Sequence, residues 1–359
     1  MTDHDLRAPR FLPVITEPID RKDIPMSSSL SASPLAVIRA PHKPPLLRVA
    51  DNGDPAGWAA AHRDALRATL LENGALLVRG LGLRDAAAVG AVFHGLAGSG
   101  LMAEREAFAP RQTYAEGVYS STKWPANQQM CMHHELSYTL QFPGTMMFAC
   151  LTAPTQGGAT AVADSPTVLN SLPGPLVDRF AREGWMLTRT FGEEIGADWT
   201  EAFGTADPAV VERYCRANGI EFAWQPDGGL RTRQRRSAIV RHPATGQPCW
   251  FNQIAFLNQW TLAEDVREYL VEEYGEDGLP FNTRFGNGDP IGKDIVELLN
   301  GINEANTASE PWQAGDLLLV DNIRTAHSRE AYAGPREVLV GMADPVDLAD
   351  CSPTTAVAR

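Results

Sequence analysis

The stretch Gln128-Gln129-Met130-Cys131-Met132-His133-His134-Glu135-Leu136-Ser137-Tyr138 decides how this chain is read. With Pro143-Gly144 and Gly157-Gly158 as breakers further on, the texture from Gln128 to about Val162 is that of strands. Residues i and i+2 of an extended strand point to one side. His133 and Glu135 therefore share a face and His134 points away. An adjacent His134–Glu135 pair would face opposite sides and could not chelate one metal. The competing zinc helix, H-E-x-x-H, fails because Tyr138 stands where its second histidine is required.

A third ligand has to come from elsewhere in the chain. His327 follows the apolar run Gly315-Asp316-Leu-Leu-Leu-Val-Asp321-Asn322, which reads as a buried strand. Two imidazoles and one carboxylate occupy one face of a metal ion and leave the other for a cosubstrate and oxygen, which is the ligand logic of non-haem iron(II) oxygenases. Arg336, in Tyr332-Ala-Gly334-Pro335-Arg336, suits the far carboxylate of a keto-acid cosubstrate, since its donor fork matches a carboxylate bidentately. Taken singly, each residue also has an ordinary reading: a satisfied core histidine, or a strand-end arginine paired with an acid.

Around this nucleus the chain reads as mixed α+β. A helix is predicted over Trp58–Asn73, ended by Asn73-Gly74, then a buried strand from Gly74 to Gly80 and a helix from Asp85 to Leu96. Further helices are expected at about 166–183, 207–218, 261–275 and 292–304. Strands are expected at Phe222–Trp224, Ile239–Val240, Cys249–Asn252, Leu317–Asp321 and Val338–Ala343. Short strands with glycine turns, interrupted by helices and without a composition break, suggest a β-sandwich or barrel with helical insertions, in one domain over 36–359. Residues 1–35, rich in Ser and Pro, read as a flexible or surface-wrapping segment. The glycine-containing stretch 277–291 is a candidate lid.

Composition bounds the partners. A net charge of −13 argues against general nucleic-acid binding, which needs basic surface. Five scattered cysteines without a C-x-x-C pair favour a reducing compartment over a disulfide framework. No apolar run approaches a membrane span and no signal peptide is evident at the N-terminus, so a cytoplasmic location is expected.

Several motifs in order carry a family resemblance: Asn127-Gln-Gln-Met-Cys-Met-His133-His-Glu135-Leu-Ser-Tyr138, Pro154-Thr-Gln-Gly157-Gly158-Ala-Thr160, His242-Pro-Ala-Thr245-Gly246, Trp250-Phe-Asn252-Gln253, and Trp312-Gln-Ala-Gly315-Asp316 through His327-Ser-Arg329 to Gly334-Pro-Arg336. From about Gly74 to Ala343 the chain resembles the taurine dioxygenase-like superfamily of Fe(II)/2-oxoglutarate enzymes, most of all the H-x-E branch of syringomycin aspartyl hydroxylase and clavaminate synthase. The resemblance implies a double-stranded β-helix (jelly roll), iron ligands His133, Glu135 and His327, and 2-oxoglutarate held by Arg336 and Thr160, with O2 as the second cosubstrate. Ala159 stands where relatives usually carry Asp or Glu. Glu135 implies hydroxylation over halogenation, because related radical halogenases carry a small residue there; desaturation and epoxidation remain open. The nearest branch implies an amino-acid substrate, free or tethered to an acidic carrier protein. A catabolic oxygenase of a small sulfonate, or a metal-free jelly-roll binding protein, are the alternatives.

Gln129 and Asn252 are candidate pocket polar groups, Asn252 being equally credible as a core residue, and Tyr119, Tyr138 and Trp124 are candidate walls. Arg231, Arg233 and Arg235 fall on one face at strand periodicity, a basic stripe that would suit an acidic carrier or a substrate carboxylate, or simply pair with surface acids.

Overall fold

A computed structural model describes residues 35–50, 53–103, 106, 108, 111–192 and 196–355. The segment expected at residues 1–35 thus lies almost wholly outside the described residues. These described residues form one compact unit.

The apolar run before His327 sets the layers. Leu317–Asp321 is a strand buried along its whole length, between Ala75–Arg79 on one side and Gln141–Thr152 on the other. Its side chains alternate between two cores. Leu317 and Leu319 join Leu66, Leu70, Val89, Val92 and Phe93 of the helices Pro55–Asn73 and Ala86–Leu96. Leu318 and Val320 join Phe148, Val340, Met132, Val162 and Ala326. A strand covered on both faces has no polar side, which is why its sequence is continuously apolar.

The sheet holding this strand runs Val37–Ile38, Leu46–Arg48, Ala75–Arg79, Leu317–Asp321, Gln141–Thr152, Glu337–Asp347, Val118–Ser120, Thr113–Ala115. It is antiparallel except where Leu46–Arg48 runs beside Ala75–Arg79. A four-stranded sheet, Thr307–Ala308, Thr160–Asp164, Thr325–Arg329, Met130–His133, shares the second core with it. A further sheet, Ile220–Trp224, Leu230–Arg236, Trp185–Phe191, Phe281–Phe285, carries its own small cluster with helix Pro208–Ala217.

Local chemistry explains the element ends. Asp54 and Asp85 accept from the N–H groups of Gly57 and Ala88, each at 2.8 Å, and so cap the two helices. Gly74 closes the first with φ 77°, as expected of Asn-Gly. The helix expected over 166–183 is two, Ser165–Ser171 and Gly174–Glu183, because Pro173 between them cannot continue the first. The candidate lid at 277–291 is corrected: it contains the strand Phe281–Phe285, paired along Trp185–Phe191, with Asn282 and Thr283 buried. The partner strand was missed as well; its inward face carries Arg189, 4% exposed, which breaks the apolar alternation.

Candidate active site

The two histidines are brought together by strand pairing. His133 ends Met130–His133, His327 is central in Thr325–Arg329, and the two are direct partners in register. Their rings lie 4.3 Å apart. Glu135 departs from the expectation that it shares a strand with His133, since the strand has ended and Glu135 sits in the following turn. Leu136 makes that turn with φ 53°, a conformation unfavourable for leucine and held here by its surroundings. Asn322, fully buried, is the clamp: its Oδ1 accepts from Glu135 N–H at 2.8 Å and its Nδ2 donates to the carbonyls of Glu135 and Pro143. The residue leading into the second histidine's strand thus fixes the carboxylate's turn.

His133, Glu135 and His327 offer ligand atoms all within 4.8 Å of one another, and all three residues are buried. His133 Nδ1 donates to the Cys131 carbonyl at 2.8 Å, because a carbonyl can only accept. That fixes the tautomer and leaves Nε2 with its lone pair for a metal. Burial, then His327, pushes the His133 imidazole down to about 3, so it stands neutral and ready to ligate. The ring stacks on Phe256 at 4.6 Å. For Glu135 burial acts upward, but Arg111 and then the two histidines outweigh it and hold the carboxyl well below the usual range. Two imidazoles and an ionised carboxylate at this spacing fit a divalent first-row metal.

His134 faces the other way, as parity requires. Its Nε2 meets Ser165 Oγ at 2.7 Å, its ring packs against Phe251, and burial pushes it down to about 3.

The ligands open into a cavity lined also by Arg111, Ser121, Thr122, Met130, Phe148, Thr160, Ser328, Arg329, Arg336, Val338 and Val340. Thr160 and Arg336 both line this cavity, together with the three candidate ligands. Arg336 Nε donates to the Gly158 carbonyl at 2.9 Å, and its Nη1 reaches Ser121 Oγ at 3.4 Å. Neither bond goes to a carboxylate. Burial, then Arg329, lowers the Arg336 guanidinium to about 10, still fully charged at neutral pH. The glycines of Gly157-Gly158 are required by approach: a Cβ on Gly158, at φ 72°, would lie 2.8 Å from both Pro154 Cγ and Tyr332 Cβ.

The outer candidates fare differently. Gln129 is exposed and lies outside the cavity lining. A register shift between His327 and Arg329 sets Met130 opposite Arg329, so Met130 lines the cavity where even strand parity would have put Gln129 and Cys131. Asn252 is a core residue: its Nδ2 donates to Ala238, its Oδ1 accepts from Ile254 N–H, and its carbonyl accepts from His134 N–H. Tyr138 is 2% exposed and its hydroxyl donates to the Glu106 carbonyl, so it belongs to the core and not to the cavity wall. Tyr119 packs against the same core, and Trp124 packs on Phe256 behind His133. Arg231 and Arg233 are exposed on one face of Leu230–Arg236, whereas Arg235 donates to the Glu183 carbonyl. Sequence reasoning missed Arg111, whose Nη2 donates to Glu135 Oε1 at 2.9 Å. No motif marks it, and only the fold brings it to the ligands.

Comparison with known proteins agrees with this geometry. The family model described as "Taurine catabolism dioxygenase TauD, TfdA family" matches residues 40–343. The dapdiamide synthesis protein DdaC of Enterobacter agglomerans is 33% identical over 321 residues, covering 89% of this chain and 96% of its own. A clavaminate synthase-like protein of Arabidopsis thaliana is 30% identical over 65% of this chain and 71% of its own. Among solved structures, PvcB, described as an Fe, alpha-ketoglutarate dependent oxygenase from an isonitrile synthetic pathway, shares the fold with TM-score 0.51 at 16% identity, over 90% of this chain and 97% of that one. Among the described residues, no helix is long and apolar enough to cross a membrane. The family match, the relatives and the His133–Glu135–His327 group together place this chain in the TauD/TfdA family of iron(II)- and 2-oxoglutarate-dependent dioxygenases.

Proposed function

We propose that this dioxygenase hydroxylates an unactivated C–H bond of an amino acid or amino-acid derivative in specialised metabolism. The overall reaction is R–H + 2-oxoglutarate + O2 → R–OH + succinate + CO2. The observation that carries it is one cavity joining three buried ligand side chains to Arg336, a half-buried guanidinium that has no carboxylate among its bonds. Full-length similarity to a protein of dapdiamide synthesis supports the biosynthetic setting. In this reading His133, Glu135 and His327 hold iron(II), while Arg336 and Thr160 hold the C5 carboxylate of 2-oxoglutarate.

When bound, iron with its cosubstrate supplies the oxidising chemistry. The protein's own contribution is placement and exclusion of water. His133 is oriented through the Cys131 carbonyl, Glu135 through Asn322, and both histidine rings are walled by Phe256 and Phe148. Glu135, in place of a small residue, supports hydroxylation over halogenation. The eight- and four-stranded sheets, facing each other across one core with neighbours distant in sequence, support a double-stranded β-helix in a single domain over 36–359. The exposed pair Arg231 and Arg233 supports a carrier-tethered substrate, docked through an acidic carrier protein.

Uncoupled conversion of 2-oxoglutarate to succinate, dependent on iron and ascorbate, tests the reading. Turnover in the wild type that vanishes in His327→Ala is expected; equal absence in both would favour a binding protein. Mass spectrometry of free and carrier-bound amino acids, seeking a gain of one oxygen, identifies the substrate form. Charge reversal at Arg231 and Arg233 should slow only carrier-bound turnover, and unchanged kinetics would remove the docking idea.

A further inference from the structure

We propose that Arg111 is a positioning residue that keeps Glu135 a one-oxygen ligand. The two oxygens of this carboxylate have different neighbours. Oε1 accepts from Arg111 Nη2 at 2.9 Å, whereas Oε2 lies 3.6 Å from His327 Nε2, on the side of the other ligands. The Arg111 and Glu135 side chains are 6% and 10% exposed, so the pair is little screened by water.

The need for such a restraint follows from coordination number. Two imidazoles and one carboxylate oxygen leave three positions of an octahedron, the number required by a two-point keto-acid chelate and oxygen. A carboxylate binding through both oxygens would take one of them. Glutamate is the residue prone to this, because its extra methylene and rotatable bond let both oxygens swing toward a metal. A guanidinium fixed on Oε1 removes that option while leaving Oε2 to ligate. Two residues upstream of Arg111 are also anchored. Glu106, 2% exposed, accepts from Tyr214 Oη at 2.7 Å and Gln234 Nε2 at 3.2 Å, and its carbonyl accepts from Arg189 at 2.7 Å. Phe108 then packs edge-on against Tyr138. Glu106 is thus pinned to the sheet that holds Arg189 and Gln234.

This inference rests on the iron and 2-oxoglutarate reading, and its test separates the two. Wild type, Arg111→Met and Arg111→Lys are loaded anaerobically with Fe(II) and titrated with 2-oxoglutarate, following the charge-transfer absorption of the chelate; Co(II) titrations report metal affinity, and thermal melts report folding. In Arg111→Met, Co(II) is expected to bind at least as tightly as in wild type, while 2-oxoglutarate binding weakens roughly 10–100-fold and the absorption band shifts. Arg111→Lys, which keeps a donor to Oε1, is expected to recover most of the loss. Unchanged 2-oxoglutarate binding and an unshifted band in Arg111→Met would overturn the proposal, and tighter metal binding alongside them would make Arg111 a mere occupant of the metal's place. Absence of the band in the wild type would instead overturn the cosubstrate reading, and this proposal with it.

Discussion

Replacing Arg336 by methionine separates cosubstrate binding from folding. The side chain lines the metal cavity, with Nε committed to the Gly158 carbonyl at 2.9 Å and Nη1 only weakly to Ser121 at 3.4 Å. The outer edge of the guanidinium is left to face a carboxylate, and a bond to a charged partner contributes about 1.5–3 kcal/mol. Removing one member of a buried ion pair costs about 3–5 kcal/mol. At about 1.4 kcal/mol per tenfold change, Arg336→Met weakens 2-oxoglutarate by roughly two to three and a half orders of magnitude. Arg336→Lys keeps the charge and loses the fork, so it falls between. The fold should not suffer, because in the free protein this half-buried cation has no carboxylate among its bonds and sits near the charge of Arg329. The assay is anaerobic titration of the iron-loaded protein with 2-oxoglutarate, beside succinate release and a thermal melt. A dissociation constant within about threefold of wild type, in a variant that melts normally, would refute the assignment of Arg336.

Three further outcomes are expected. His134→Ala orphans the Ser165 hydroxyl, 1% exposed, and should cost about 1–3 kcal/mol of stability on thermal or urea unfolding while leaving metal binding intact; loss of metal binding would contradict the facing inferred for His134. Acid should destabilise the metal-free protein between pH 6.5 and about 3, because the unfolded chain takes up protons on His133 and His134 there while the buried rings stay neutral. Each histidine contributes at most about 1.4 kcal/mol per pH unit, and stability by urea titration that does not fall with pH in this window would refute their neutral burial. Gly158→Ala places a Cβ 2.8 Å from Tyr332 Cβ and 3.2 Å from Arg336 Cδ, so it should raise KM for 2-oxoglutarate more than it changes the melting temperature; an unchanged KM would show that Arg336 does not depend on this turn.

Much of the site is legible in one dimension because its parts obey local rules. Side-chain alternation selects His133 over His134, even though Glu135 completes the pair from a turn and not from the strand. The same rule fails four residues earlier, since a bulge opposite Arg329 shifts the parity and leaves Gln129 exposed. Tyr138 and Asn252 mislead for a different reason. Aromatic and amide side chains suit a pocket wall and a buried hydrogen-bonding core equally well, and only the partners Glu106, Ala238 and Ile254 decide between them.

The amino-acid sequence by itself pointed to the candidate ligand types, their order, an arginine suited to an anion and many of the strands and helix ends around them, because periodicity, capping and turn chemistry act over a few residues. The tertiary structure alone decided which neighbours control those ligands. Asn322 clamps the Glu135 turn and Arg111 binds the Glu135 carboxylate, contacts made across 187 and 24 residues of chain. Such contacts leave no periodic trace in the sequence; they exist only once strand register has set His327 against His133 and closed a buried cavity around the pair.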